Sequence, residues 1–398
     1  MIAATAVGIS HLVQSTRAGA DYGLSMAWCI LLIVLLKYPA FRFAADYASV
    51  TGKSLVHAYA RQGRIALAWL VFAMLIEMFV GASAVSLVNA GVLISVFDLT
   101  VESSTGAIIV LLITAAVLIN GRYTKAEKIV KFLVITFSML VLLATIVAVP
   151  QLGSQGRELM ANLSPDRQTI AFFVAMTGWM PLPVAVAAYH SIWIREKVAA
   201  TEGTYTRSQA VFDLNVGWGL TFLLALCFLV IGAAALFQTG TLLPTSSPGF
   251  ATLLFSVFTD LAGEWIYPLL AAAGLVVVWS TLIAIMDAVP RIMDHLYHEI
   301  RGDDDTAANY YRLFLTLQVL GCAIVLTVFL GDFASFIDVA ASTAFITAPA
   351  IAYFNYRAVT SAEVSARYVP GRWLLVWNWL AILCFTVFAF LFLIFRFS

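Results

Sequence analysis

Apolar residues run along this chain in long blocks, each about the length of a bilayer crossing, with polar residues gathered in the short stretches between. A hydrocarbon core about 30 Å thick is crossed by about 20 apolar residues in helical form. The pattern predicts eleven spans, at roughly 2–20, 23–49, 65–96, 104–120, 127–150, 169–194, 209–238, 251–287, 311–330, 333–356 and 371–396. Spans 65–96 and 251–287 exceed that length and are expected to tilt or to extend beyond the membrane. The fold class expected is all-α, a single polytopic membrane domain.

Two spans have unusual midsections. Span one contains AVGISHLVQSTRAG at 6–19, and span six contains AMTGWMPLPVAVAAYHS at 175–191. Gly178, Pro181 and Pro183 cannot all sit in a regular helix, because each proline removes a backbone donor and clashes with the preceding turn, at about 3 kcal/mol. In lipid the freed backbone groups cost more, so a break persists where it is buried in protein or lines a cavity. Spans one and six are also five apart. Interrupted helices at matching positions of two five-span halves point to inverted repeats with a binding site near the midplane. The halves would be about 1–150 and 169–357, followed by an extra helix at about 371–396. A pair of ordinary kinks is the competing reading.

Composition agrees with a membrane protein. The 398 residues are 62% hydrophobic and 11% charged, against about 25% charged in soluble domains. Net charge is zero, which removes a large basic surface for nucleic acid. Cys29, Cys227, Cys322 and Cys384 lie in apolar runs without a CxxC pair and read as packing residues. A charged n-region and an A-x-A site are both missing, so no cleavable signal peptide is expected. With the N-terminus inside, the loop lysines and arginines fall on the inner side except for Arg157, Arg167 and Arg396. The expected location is therefore the inner (plasma) membrane, N-terminus cytoplasmic and C-terminus outside. Trp28, Trp193, Trp265 and Trp373 lie near span ends and suit an interfacial belt.

The first break supplies Ser10, His11, Gln14, Ser15 and Thr16 as neutral hydrogen-bonding groups, with Arg17 adding charge. The second supplies Gly178, Trp179, Met180, Pro181 and Pro183. Neither contains Asp or Glu. A broken helix points the N–H groups of its second half at the gap, which favours an anion or a small polar solute. Arg17, about 240° round a regular helix from His11, has other options: snorkelling outward, or pairing with Asp21 at i+4. Among other intramembrane charges, Lys37 and Arg42 are expected to snorkel, with Asp46 pairing Arg42. Asp287 and Arg291 are expected to pair, Glu77 and Lys131 have no assignable partner, and Asp338 is a weaker conduit candidate. DHLYHEIRGDDD, 294–304 and onward, reads as a solvated loop rather than a metal site. No G-x-x-x-x-G-K-[ST] loop occurs, so ATP-driven transport has no support. Without a nucleophile–base pair or a metal motif, an enzyme, a cofactor and a resident metal are not expected.

Several segments resemble the Nramp family of divalent-metal transporters, which have the LeuT-type fold. AGADYG with VTGKSL at 50–55, GRYTKAEKIV at 121–130, YHS at 189–191 and FDLNVGWGLTFLLAL at 212–226 carry the likeness, which is distant but runs along nearly the whole chain. It implies alternating access around interrupted helices one and six. The family's D-P-G-N positions fall on Gly8, Ile9, Ser10 and His11, and its M-P-H positions on Pro183, Val184 and Ala185. The metal ligands are therefore absent, although Met180-Pro181 lies close by. His190, through the same likeness, is a candidate proton relay.

The site expected from these readings comprises Gly8, Ile9, Ser10, His11, Gln14, Ser15, Arg17, Gly178, Trp179, Met180, Pro181 and Pro183. The leading expectation is carriage of a small inorganic anion such as bicarbonate. The alternatives are a divalent cation, magnesium before manganese, or a sensor or scaffold without transport. The partners expected are the cargo and the lipid bilayer, with the chain monomeric and no nucleic acid bound. Seven residues before the first break make about 10 Å of helix, so either the chain begins upstream or this half-helix is short.

Overall fold

The computed structural model describes residues 8, 10–119, 123–152, 160–161, 163, 166–302, 310–328 and 332–397, the side chains at 123–131, 133 and 395–397 excepted. The residues before the first break, Ile9 and the side chain of Lys131 lie outside that set. The apolar blocks are helical, as they must be where no water can satisfy backbone groups. Nine helical runs among the described residues are long and apolar enough to cross a membrane, and Ser103–Ile119 is a shorter apolar helix.

In chain order, a π-helical turn Ser10–Ser15 leads into α1, Thr16–Tyr22. Then come α2 (Met26–Thr51), the short α3 (Leu55–Gln62) and α4 (Arg64–Phe97). Next are α5 (Ser103–Ile119) and α6 (Tyr123–Ala148). Span six forms α7 (Arg167–Trp179) and α8 (Ala187–Ala200), separated by the expected break. It is followed by α9 (Arg207–Phe237), α10 (Ser247–Ala262) and α11 (Tyr267–Arg301). The last four are α12 (Tyr311–Val328), α13 (Phe333–Ile346), α14 (Ala348–Val359) and α15 (Arg372–Phe397). Helix starts follow side-chain chemistry. Asp166 caps α7 and Asp332 caps α13, while Thr206 and Gln209 form a reciprocal capping box at α9.

Three sequence expectations change. The apolar block 251–287 is not one span: it divides at Gly263, whose φ of +93° favours glycine, into α10 and α11. α11 continues to Arg301, so the stretch beginning at Asp294 is helix, with His298 3.6 Å from Asp294 one turn away. Span ten is also interrupted, at Thr347, because Pro349 has no N–H with which to continue the ladder from α13.

Helix contacts at the centre are set by glycines. A Cβ on Gly19 of α1 would lie 2.1 Å from the Leu229 carbonyl oxygen of α9, and one on Gly232 of α9 would lie 2.3 Å from the Thr16 oxygen. The two backbones thus touch through reciprocal small residues. Likewise a Cβ on Gly178 would lie 1.8 Å from the Ala341 carbonyl oxygen, so α7 and α13 meet backbone to backbone. Trp28, Trp265 and Trp373 are exposed on the outside of the bundle, as a belt requires, but Trp193 faces inward.

At the end of the bundle that carries α3, Glu363 gathers polar partners from three segments. Lys53 Nζ is 3.0 Å from it, His57 Nε2 is 3.4 Å away, and the Tyr47 hydroxyl donates to its other oxygen. His57 Nδ1 also meets Glu299 of α11 at 3.1 Å. Burial alone would raise the Glu363 pKa, but Tyr47, Lys53 and His57 outweigh it and hold the carboxyl at about 2.

Candidate functional site

Both breaks open onto one cavity of about 80 Å³. Its walls come from Gly8 and Ser10 at the first break, Trp179 and Pro181 to Pro183 at the second, and Tyr189 and Trp193 of α8. α4 contributes Glu77, Gly81 and Val85, and α11 contributes Thr281 and its neighbours. A single water needs about 10–15 Å³ on this measure, so the cavity has room for roughly half a dozen water-sized groups.

Four carbonyl oxygens of the second break have identified partners. The Gly178 carbonyl accepts from Lys37 Nζ at 3.0 Å, and that of Leu182 accepts from the same nitrogen at 2.8 Å. The Pro181 carbonyl accepts from Ser10 Oγ at 3.2 Å, which ties the two breaks together. The Pro183 carbonyl accepts from Val186 N at 3.0 Å. Lys37 does not snorkel: it is fully buried, and its ammonium sits inside the break.

Glu77 is the charged side chain of the cavity wall among the described residues. It opens a π-helical turn, Glu77–Gly81, in the middle of α4. Such turns re-aim side chains and recur at functional sites. No hydrogen bond joins its carboxylate to another described residue. The Tyr189 hydroxyl, also on the wall, is buried and lacks a partner among the described residues. Hydroxyls of Ser10 and Thr281 complete the polar lining.

The residues expected from sequence divide. Gly8, Ser10, Trp179, Pro181 and Pro183 line the cavity. His11, Gln14, Ser15, Arg17, Gly178 and Met180 are buried outside its wall. His11 Nε2 lies 2.9 Å from the Thr221 carbonyl of α9, and Nδ1 lies 3.0 Å from Ser10 Oγ. Ser15 Oγ donates to the Ser10 carbonyl at 3.4 Å. Arg17 neither snorkels nor pairs with Asp21. It holds Asp338 of α13 with two bonds of 2.7 and 3.0 Å, and Gln14 Nε2 donates to the same carboxylate at 3.3 Å. Arg17→Gln is expected to lower stability by about 1.5–3 kcal/mol, the range for hydrogen bonds to charged groups. Thermal unfolding of Arg17→Gln, Asp338→Asn and the double variant checks this: the single losses should not add. His190 is buried off the cavity wall, with neither ring nitrogen bonded to a described residue.

Other pairs are as expected: Arg42 with Asp46 at 3.1 Å, Arg291 with Asp287 at 2.8 Å, and four free cysteines. Sequence reasoning missed the site roles of Glu77, Tyr189, Trp193, Thr281 and Lys37. A lone carboxylate in the apolar run at 65–96 was the available signal for the first. Among the described residues, no group of three or more His, Cys, Asp or Glu is placed to hold a metal ion.

Comparison with known proteins places this architecture. The family model described as Nramp, natural resistance-associated macrophage protein-like, matches residues 1–395. An uncharacterized protein of Pasteurella multocida is 28% identical over 369 residues, 91% of this chain and 84% of its own length. Among solved structures, a mutant of the Eremococcus coleocola manganese transporter aligns with a TM-score of 0.64 at 16% identity, over 98% of this chain and 83% of that one. MhsT in complex with L-phenylalanine aligns with a TM-score of 0.68 at 14% identity, over 98% and 97%. At this identity the likeness shows the fold, which is LeuT-type.

Proposed function

We propose that this chain, which belongs to the Nramp family, carries a small hydrated cation by alternating access around the Glu77 cavity. Membership makes it a multi-pass membrane transporter; the cargo is the proposal. The observation that carries it is the Glu77 carboxylate, the charged group on a wall shared by both breaks.

A cation moved out of water needs an anionic partner, and one carboxylate suits an ion that keeps most of its own waters. Magnesium does so, and the remaining polar groups of the wall are hydroxyl oxygens, which suit a hard cation better than a soft one. The anion reading drew on His11, Gln14 and Arg17, but His11 meets the Thr221 carbonyl and Gln14 and Arg17 both bind Asp338. A bicarbonate ion in the cavity would instead face Glu77. We further propose that the halves about 1–150 and 169–357 are inverted repeats, that the chain lies in the inner membrane with its N-terminus inside, and that it acts as a monomer.

Flux into proteoliposomes tests the cargo, with magnesium, manganese and bicarbonate offered to one preparation. Saturable magnesium uptake without a bicarbonate-dependent change of internal pH is the expected result. A bicarbonate response without cation uptake would overturn the reading, and silence towards all three would favour a sensor or scaffold.

A further inference from the structure

We propose that Lys37 is a tethered cation: its ammonium fills, from within the chain, a monovalent-cation site formed by the carbonyls of the second break. This inference does not depend on the cargo.

The end of α7 concentrates negative charge. Its last carbonyls have no N–H from a following turn, and the helix dipole adds a partial negative pole there. Pro181 and Pro183 remove two more donors just beyond. Water would normally meet such oxygens, but Gly178 is packed against the backbone of α13 and Leu182 is 7% exposed. What meets them is one ammonium, 0% exposed, reaching across from α2 to the Gly178 and Leu182 oxygens at 3.0 and 2.8 Å. Both acceptors lie on the two sides of the Met180–Pro181 bend, so the same nitrogen pins both edges of the break.

A free sodium or ammonium ion would make the same carbonyl contacts, but would have to be stripped of water on each visit. The lysine stem delivers the charge already buried. Lys37 is in this sense a positioning residue: it holds the break that forms one wall of the cavity, and it makes a dissociable ion unnecessary there.

Shortening the stem should expose the latent site. Thermal unfolding of purified Lys37→Ala is measured in rising ammonium chloride and in choline chloride at equal ionic strength. Ammonium is expected to raise the midpoint of Lys37→Ala by several degrees and to saturate, choline to do nothing, and the parent to be indifferent to both. Lys37→Met, which keeps most of the stem's bulk without its charge, should be destabilised like Lys37→Ala yet unmoved by ammonium. A Lys37→Ala protein indifferent to ammonium, or an equal response in Lys37→Met, would overturn the proposal. If neither variant can be purified, the parent still decides. A saturable rise of its midpoint in sodium chloride over choline chloride would mean that a free ion serves the fold after all, whereas coincident midpoints support the tether.

Discussion

Glu77→Gln is expected to reduce cation flux at least about thirty-fold while leaving a folded, monodisperse protein. Removing one partner of a buried charge pair costs about 2–5 kcal/mol, and each 1.4 kcal/mol is a factor of ten. Here the lost partner is the cargo's. The amide keeps the shape of the carboxylate, and Glu77 has no hydrogen bond to another described residue that the change would break. Lys37, which holds the second break, keeps both of its carbonyl acceptors. Flux and thermal midpoint measured on the same preparation separate the outcomes. Flux at the parent level in Glu77→Gln would remove the carboxylate from the mechanism, and with it the cation reading.

The second large effect concerns the fold. Gly178→Ala should destroy the packing of α7 on α13. The added methyl would lie 1.8 Å from the Ala341 carbonyl oxygen and 2.6 Å from its carbon, both backbone atoms that cannot rotate away. Overpacking a core costs about 1–3 kcal/mol when side chains can adjust, and here the helices themselves must part. The same shift would pull the Gly178 carbonyl from Lys37. Gly219→Ala is the control: nothing lies within 4 Å of its added methyl, and helix propensity alone predicts a gain of up to about 1 kcal/mol. Folded yield and unfolding midpoint of the two variants give the comparison, and a Gly178→Ala protein as stable as the parent would refute it.

The spans and the break at Gly178–Pro183 were legible because hydropathy and proline act locally. The partners were not. Whether His11 faces a cavity or a neighbouring backbone depends on the π-helical turn at Ser10–Ser15, and no residue in that stretch signals it. Glu77 is aimed by a second such turn, equally silent in sequence. Lys37 could be recognised as an anomalous charge, but its two acceptors are 141 and 145 residues away along the chain. The division at Gly263 was hidden for another reason: Asp260 and Glu264 are too few to interrupt the apolar average around them.

The glycine contacts also decide which parts can travel separately. α1 and α9 interlock through Gly19 and Gly232 with no clearance for sliding, and α7 and α13 do so at Gly178. Each couple therefore moves as one piece, and bending is left to the links at 180–186 and around Thr347. The bidentate grip of Arg17 on Asp338 fastens the first couple to the second. Any motion that draws the two pieces apart must first unlatch it, so the strength of that one clasp sets a floor under the work of separating them.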